Sequence, residues 1–235
     1  MTSTASPQTS ITYPDSDGKP MADNTKQFRW IVMIKENLEL LFGDRPDVFV
    51  AGDLLWYPVQ GNNKVRQAPD AMVVFGRPKG DRGSYRQWNE EGIAPQVVFE
   101  ILSPGNRLAE MIRKFKFYEH HGVEEYYVYN PDDIALTGWV RQDDTLTDIE
   151  EMNGWISPRL QVRFALDEEL ELYRPDGQHF LTMSELEQRA KAAEERAETA
   201  EERAQAAEAL LARYRDRFGD LNGENATDKE SSDRP

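Results

Sequence analysis

The chain has 235 residues, 39% hydrophobic and 30% charged, with 5 Trp, 9 Tyr and 10 Phe, so it can bury a real core and wholesale disorder is excluded. Asp and Glu total 43 against 28 Lys and Arg, a formal net charge of −15, which argues against a general nucleic-acid coat, because non-specific phosphate binding needs clustered cations. With no cysteine, a disulfide scaffold, a thiol nucleophile and a Cys-ligated metal site are excluded as well.

No apolar run approaches the ~18 residues that cross a bilayer. The N-terminus (MTSTASPQTS) lacks the basic-then-apolar pattern of a signal peptide, so a soluble, cytoplasmic protein is expected. Residues 1–22, rich in Ser, Thr, Pro and Gly, are expected to form a disordered arm. Over 25–42 the apolar positions Phe28, Ile31, Met33, Ile34, Leu38, Leu41 and Phe42 recur at helical spacing, and Gly43 supplies a stop. Residues 48–57 read as a strand. The runs AMVVF within 69–75 and VVFEIL within 95–102 read as strands covered on both faces. Between them, 76–94 is a polar loop with four glycines, Tyr85 and Trp88, long enough to suggest function or motion. Residues 107–121 carry the stripe Leu108, Met111, Ile112, Phe115, Tyr118 and predict an amphipathic helix closed by Gly122. Strands follow over 125–129, 138–141, 145–152, 160–165 and 170–173. This order predicts an α/β fold with a mixed sheet and a β-rich end.

The last quarter differs in kind. Leu186, Ala190, Ala193, Ala197, Ala200, Ala204, Ala207, Leu211, Tyr214 and Phe218 alternate steps of four and three. That is a heptad seam, mostly of alanine, which buries little per residue. It predicts either a weakly pairing, dimerising coiled coil over 183–218 or one exposed helix held by i,i+4 ion pairs. Residues 219–235 are expected to be a disordered tail. Acidity is spread along the chain, −10 over 1–183 and −5 over 184–235, so it points to no partner. One stretch runs the other way: Lys64, Arg66, Arg77, Lys79, Arg82 and Arg86, opposed by Asp70 and Asp81. A second basic group comprises Arg107, Arg113, Lys114 and Lys116. Either is ordinary solvated charge or a local substrate surface.

Two carboxylates stand out. Asp70 follows Pro69 at the head of one core strand, and Glu100 sits inside the apolar run of the next. A buried carboxylate must be paired, protonated or bound to metal. A single buried Glu is ordinarily a structural ion pair, but a second acid one strand away and a lysine one helix later widen the options.

These residues resemble the Uma-type family of restriction endonucleases in the PD-(D/E)XK nuclease superfamily. The matching positions are Pro69-Asp70, Val98-Phe99-Glu100-Ile101-Leu102-Ser103-Pro104, Glu110-x-x-x-Lys114-x-x-x-Tyr118, Gly122-Val123-x-x-Tyr126 and Tyr129-Asn130-Pro131. The resemblance covers roughly 24–175. It implies a restriction-endonuclease-like domain over 23–182 acting on DNA. Mg²⁺ (Mn²⁺ as the alternative) would sit between Asp70, Glu100 and the Ile101 backbone carbonyl, with Lys114 as third catalytic residue. A hard cation takes such oxygen ligands, and a nearby ammonium can offset charge developing on phosphate.

The pattern departs in two places. Leu102 stands where the superfamily's usual lysine lies, so the role passes to Lys114, at the edge of the helix stripe, unless Lys114 merely pairs with Glu110. The acid that many such nucleases carry on their first helix has two candidates, Glu36 and Asp53. Arg77, Lys79, Arg82 and Arg86 are candidate substrate contacts, on the expectation that loop 76–94 lies near the site. His120-His121 reads as helix-end charge compensation rather than a metal pair. A glycosidase fits less well, for want of sugar-stacking aromatics beside the two acids. The rival of another class is a catalytically idle nuclease fold whose coiled coil is its working part.

Overall fold

Asn24, in extended backbone, accepts a hydrogen bond from the Gln27 N–H at 2.9 Å and so starts the first helix, α1 (Thr25–Leu41). The computed structural model describes residues 11–18 and 20–219. The expected tail lies outside these residues but for Gly219, as do positions 1–10 and 19 of the expected arm. Residues 11–18, expected to be disordered, instead run over the domain. The Pro14 carbonyl accepts from Tyr57 Oη at 2.7 Å, and the Thr12 carbonyl from Asn63 Nδ2 at 2.8 Å.

Among the described residues ten strands follow: β1 (Val48–Ala51), β2 (Trp56–Tyr57), β3 (Ala71–Phe75), β4 (Tyr85–Arg86), β5 (Val97–Ile101), β6 (Glu125–Asn130), β7 (Ala135–Gln142), β8 (Thr145–Asp148), β9 (Arg163–Leu166) and β10 (Leu170–Tyr173). The main sheet has the order β1-β3-β5-β6-β7-β8, and β9–β10 and β2–β4 form two small pairs. Within the main sheet β5 and β6 are parallel and the other neighbours antiparallel. That parallel step is bridged by α2 (Leu108–His120), as a crossover requires. The expected strand over 48–57 is broken, because Asp53 takes φ 48 and turns the chain between β1 and β2.

Alternation sorts the sheet's side chains onto two faces. Val48, Val50, Ala71, Val73, Val97 and Phe99 meet Trp30, Ile31, Ile34 and Leu38 of α1 on one face. Met72, Val74, Val98 and Tyr126 join Tyr118 of α2 and Trp56 of β2 on the other. Both faces are therefore covered, as the unbroken apolar runs anticipate. The helix stripes need correction. Phe28, Leu108 and Ile112 are exposed, whereas the polar Gln27 and Asn37 are buried. In α2 the inward face runs through Met111, Lys114, Phe115 and Tyr118, which moves Lys114 from the edge of the stripe into it.

Residues from Met183 onward form a separate unit. Its described part is α3 (Met183–Phe218), one continuous 36-residue helix with no buried residue. Among the described residues no helix is long and apolar enough to cross a membrane.

Candidate functional site

Ala71 stands opposite Phe99 in the β3–β5 pair, and extending that register by one residue sets Asp70 opposite Glu100 on the face that α2 covers. Cross-strand partners of this kind hold their Cβ atoms about 4.5–5.5 Å apart. Asp70 is 8% exposed and Glu100 2% exposed. Two like charges so placed repel each other unless something compensates, and α2 brings the compensation. Lys114 Nζ donates to Glu100 Oε2 at 2.6 Å and Tyr118 Oη donates to Glu100 Oε1. The four-residue spacing puts Lys114 and Tyr118 on one side of the helix, one turn apart. The alternative pairing of Lys114 with Glu110 is not the one formed; Glu110 lines the mouth of the same cleft.

Asp70 Oδ2 accepts from the Ile101 backbone N–H at 2.6 Å, and the Ile101 carbonyl accepts from Gln27 Nε2 at 2.7 Å. The first helix thus reaches the site through a buried glutamine, not through Glu36, its expected acid. Glu36 lies away from the cleft and pairs with Lys35 at 3.1 Å. Asp53 does line the cleft, with Asp17, Asp23, Asp70, Glu110 and Lys114. Gln27 carried a signal that the apolar count overlooked. It lies three residues after the helix-capping Asn24, and its Oε1 accepts from the Asp23 N–H at 2.8 Å, close to a capping box. Beyond β5, Ser103 Oγ donates to Asp23 Oδ2 at 2.6 Å, fixing the turn into α2 against the start of α1.

The electrostatics follow the geometry. Burial first, and the Glu100 charge second, push the Asp70 carboxyl well above the usual carboxylate range. Burial would lower Lys114, but the charges of Glu100 and Asp70 outweigh it and hold the ammonium above its ordinary pKa. Burial, then Glu100, raises Tyr118, which stays a neutral donor. Asp53 is exposed at the cleft, yet the walls around it desolvate its carboxylate and, with Asp17 nearby, raise its pKa.

This donor set fits a hard divalent cation. Two buried carboxylates face one ammonium, so the second acid must take up either a proton or a cation, and the Ile101 carbonyl adds a neutral oxygen beside them. Among the described residues no group of three or more His, Cys, Asp or Glu side chains is arranged to hold a metal. Water would therefore complete the shell, as Mg²⁺ prefers.

Arg77, Lys79 and Arg82 of the basic loop do not line this cleft. β3 and β5 are antiparallel, so the loop leaves Phe75 and returns at Val97, the ends opposite to Asp70 and Glu100. Five residues of strand, at ~3.3 Å each, put its base about 16 Å away. Arg77 and Arg82 both pair with Glu90, at 3.0 and 2.7 Å, with side chains 11% and 13% exposed. Lys79 pairs with Glu39 at 3.7 Å, and Arg86 lies 3.8 Å from Asp15. His121 is not a helix-end charge. Burial against Trp56 and Phe117, then the neighbouring His120, lowers its pKa to about 4, so the ring is neutral at pH 7.

Residues 19–171 match the Uma2 family, described as "Putative restriction endonuclease". No match was found among curated proteins. Among solved structures the chain is similar to a putative nuclease belonging to DUF820 from Anabaena variabilis ATCC 29413. The two share 16% identity and a TM-score of 0.44, over 61% of this chain and 78% of that one.

Proposed function

The chain belongs to the Uma2 family of restriction-endonuclease-like proteins, and on that premise we propose that it is a divalent-cation-dependent nuclease hydrolysing DNA phosphodiester bonds at the Asp70–Glu100 cleft. The observation that carries this reading is the buried pair of facing carboxylates with a single ammonium, Lys114, hydrogen-bonded between helix and sheet. Structural ion pairing needs one carboxylate for that lysine; the second remains for a cation.

Asp70, Glu100 and the Ile101 carbonyl would hold Mg²⁺ or Mn²⁺. Such an ion supplies positive charge that offsets the negative charge building on a phosphate during hydrolysis. Tyr118 and Lys114 fix both oxygens of Glu100, so the carboxylate need not reorganise when substrate arrives. The Lys114 ammonium, 14% exposed, reaches the cleft surface and can donate to the attacking water or to a phosphate oxygen. Gln27 holds the Ile101 carbonyl in place from α1. The site domain would occupy 23–182, with α3 a separate helix able to pair two copies.

The test is incubation of supercoiled plasmid with the full chain and Mg²⁺, Mn²⁺ or EDTA. Nicking with the metals, none with EDTA and none by Asp70→Asn is the expected result. Asparagine retains an acceptor for the Ile101 N–H, so its loss of cleavage would not be a loss of fold. No cleavage under any metal would overturn the reading in favour of an idle fold that works through α3, whose 36 residues bury nothing of their own.

A further inference from the structure

The segment before α1 lies across a surface of unusual chemistry. Tyr13 meets Tyr57 edge-on, at 5.2 Å between ring centroids and 82° between planes, and Trp88 at a tilt, at 4.9 Å and 53°; the Arg86 guanidinium stands 5.4 Å from its ring. Arg86 also donates to the Tyr13 carbonyl at 3.2 Å. Asp15 accepts from Ser84 Oγ at 3.1 Å and sits against Gly83, where a Cβ would lie 2.5 Å from its carboxylate carbon. Below Tyr13, Arg66 donates to Tyr57 Oη at 3.2 Å. Two residues beyond Asp15, Asp17 lines the cleft of Asp70 and Lys114, as does Gln67, the neighbour of Arg66. One short segment therefore lays a ring on two aromatics, a carboxylate beside an arginine, and a second carboxylate at the catalytic cleft.

Aromatic rings that accept a stack, flanked by guanidinium groups, are what sequence-tolerant recognition of an unpaired strand requires: a base on the ring and phosphates on the cations. The segment fills the same places, with a ring in edge and tilted contact with the aromatics and a carboxylate near Arg86. Its covalent attachment makes it a competitor at high effective concentration. We propose that Tyr57, Arg66, Arg86 and Trp88 form a binding surface for single-stranded nucleic acid leading into the cleft, and that residues 13–17 are a displaceable strap occupying it. The inference rests on the nuclease reading for its choice of ligand.

The test reads binding in EDTA, by fluorescence anisotropy of a labelled single-stranded oligodeoxynucleotide with the full chain. Asp15→Asn with Asp17→Asn, and separately Tyr13→Ala, should tighten binding roughly tenfold, the factor expected where about a tenth of molecules have the strap off. Asp143→Asn with Asp144→Asn removes equal charge at the β7–β8 turn and should not. Adding Arg86→Ala and Trp88→Ala to the released protein should abolish the gain. Hydrogen exchange over residues 11–18 should rise when the oligonucleotide binds. Strap variants that bind like the parent, or a turn control that gains as much, would overturn the inference. Plasmid cleavage without tightening would sink the strap and spare the nuclease. Tightening by a protein that never cleaves would do the reverse.

Discussion

Gln27 on the first helix donates to the carbonyl oxygen of Ile101 at 2.7 Å, while the same residue's N–H is held by Asp70 at 2.6 Å. Both polar groups of one strand residue are thus fixed by side chains from elsewhere. Gln27→Ala leaves a buried carbonyl unpaired and should cost about 1–3 kcal/mol, read by urea denaturation. Gln27→Glu sets a carboxylate against that carbonyl and should destabilise the metal-free protein. Added Mg²⁺ should then raise the Tm of Gln27→Glu more than that of the parent. An equal or smaller rise would remove position 27 from the cation's surroundings.

Lys114→Ala tests the ammonium twice. It strands Glu100, 2% exposed, with only the Tyr118 hydroxyl as partner. Breaking a buried pair from one side costs on the order of 3–5 kcal/mol, and protonation of the acid trims that figure. Mg²⁺ should restore part of the loss. Plasmid cleavage at saturating Mg²⁺ should still fall roughly 10²–10³-fold, as for one preorganised electrostatic group. Full activity in this variant would remove the lysine from the chemistry.

Two tyrosines on the same face should respond oppositely. Tyr118 Oη is bonded to Glu100, whereas the buried Tyr126 Oη has no hydrogen-bond partner among the described residues. Tyr118→Phe removes a donor from a buried carboxylate and should destabilise by about 1.5–3 kcal/mol. Tyr126→Phe deletes an unsatisfied hydroxyl and should be neutral or stabilising by about 1 kcal/mol. Equal losses in thermal melts would refute the assigned bonding.

The α1–sheet–α2 layering was legible because its apolar runs need cover on both faces. Asp70, Glu100 and Lys114 were legible because a charge in such a run demands a partner. Other features were set by tertiary context. Leu108 and Ile112 are apolar yet face solvent, and counting them turned α2 away from its true inward face. Arg77 and Arg82 of loop 76–94 look free for substrate in the sequence, but the antiparallel β3–β5 pair sets the base of the loop away from the cleft, and Glu90 lies between the two arginines. The ordering of residues 11–18 depends on Tyr57, Arg86 and Trp88, more than forty positions away. No local pattern carries that information.

His121 gives a pH dependence of definite sign. Its folded pKa of about 4 lies below the ordinary 6.5, so the folded state favours the neutral ring. Its contribution to stability is fully present above pH ~6.5 and is lost as pH falls through that window toward about 4. Solvent around the partly buried ring keeps the effect on the order of 1 kcal/mol. The difference in stability between the parent and His121→Phe should therefore shift against the parent from pH 7 to pH 4. A flat difference curve would mean the ring titrates normally.

α3 poses the remaining question, whether its seam pairs with a second copy. Along most of its length the seam is alanine, which buries too little surface to hold two helices firmly. The last turns differ: Leu210, Leu211, Tyr214 and Phe218 are 55%, 58%, 59% and 68% exposed. Tyr214 and Phe218 stand one turn apart with ring centroids at 5.6 Å, a ready apolar face at one end of the helix. If two copies pair, that end anchors them and the alanine rows only allow close approach. Truncation after Thr182 should then give the mass of a single truncated chain by light scattering at micromolar concentration, where the full chain gives that of two. Leu211→Glu with Tyr214→Glu should halve the full chain's mass while leaving α3 in place. Both changes should leave the cleft untouched, since Asp70, Glu100 and Lys114 lie in the other unit. A monomeric mass for the full chain would leave α3 as a single helix, held by its own i,i+4 pairs. A dimer that survives both changes would place the contact within 1–182 instead.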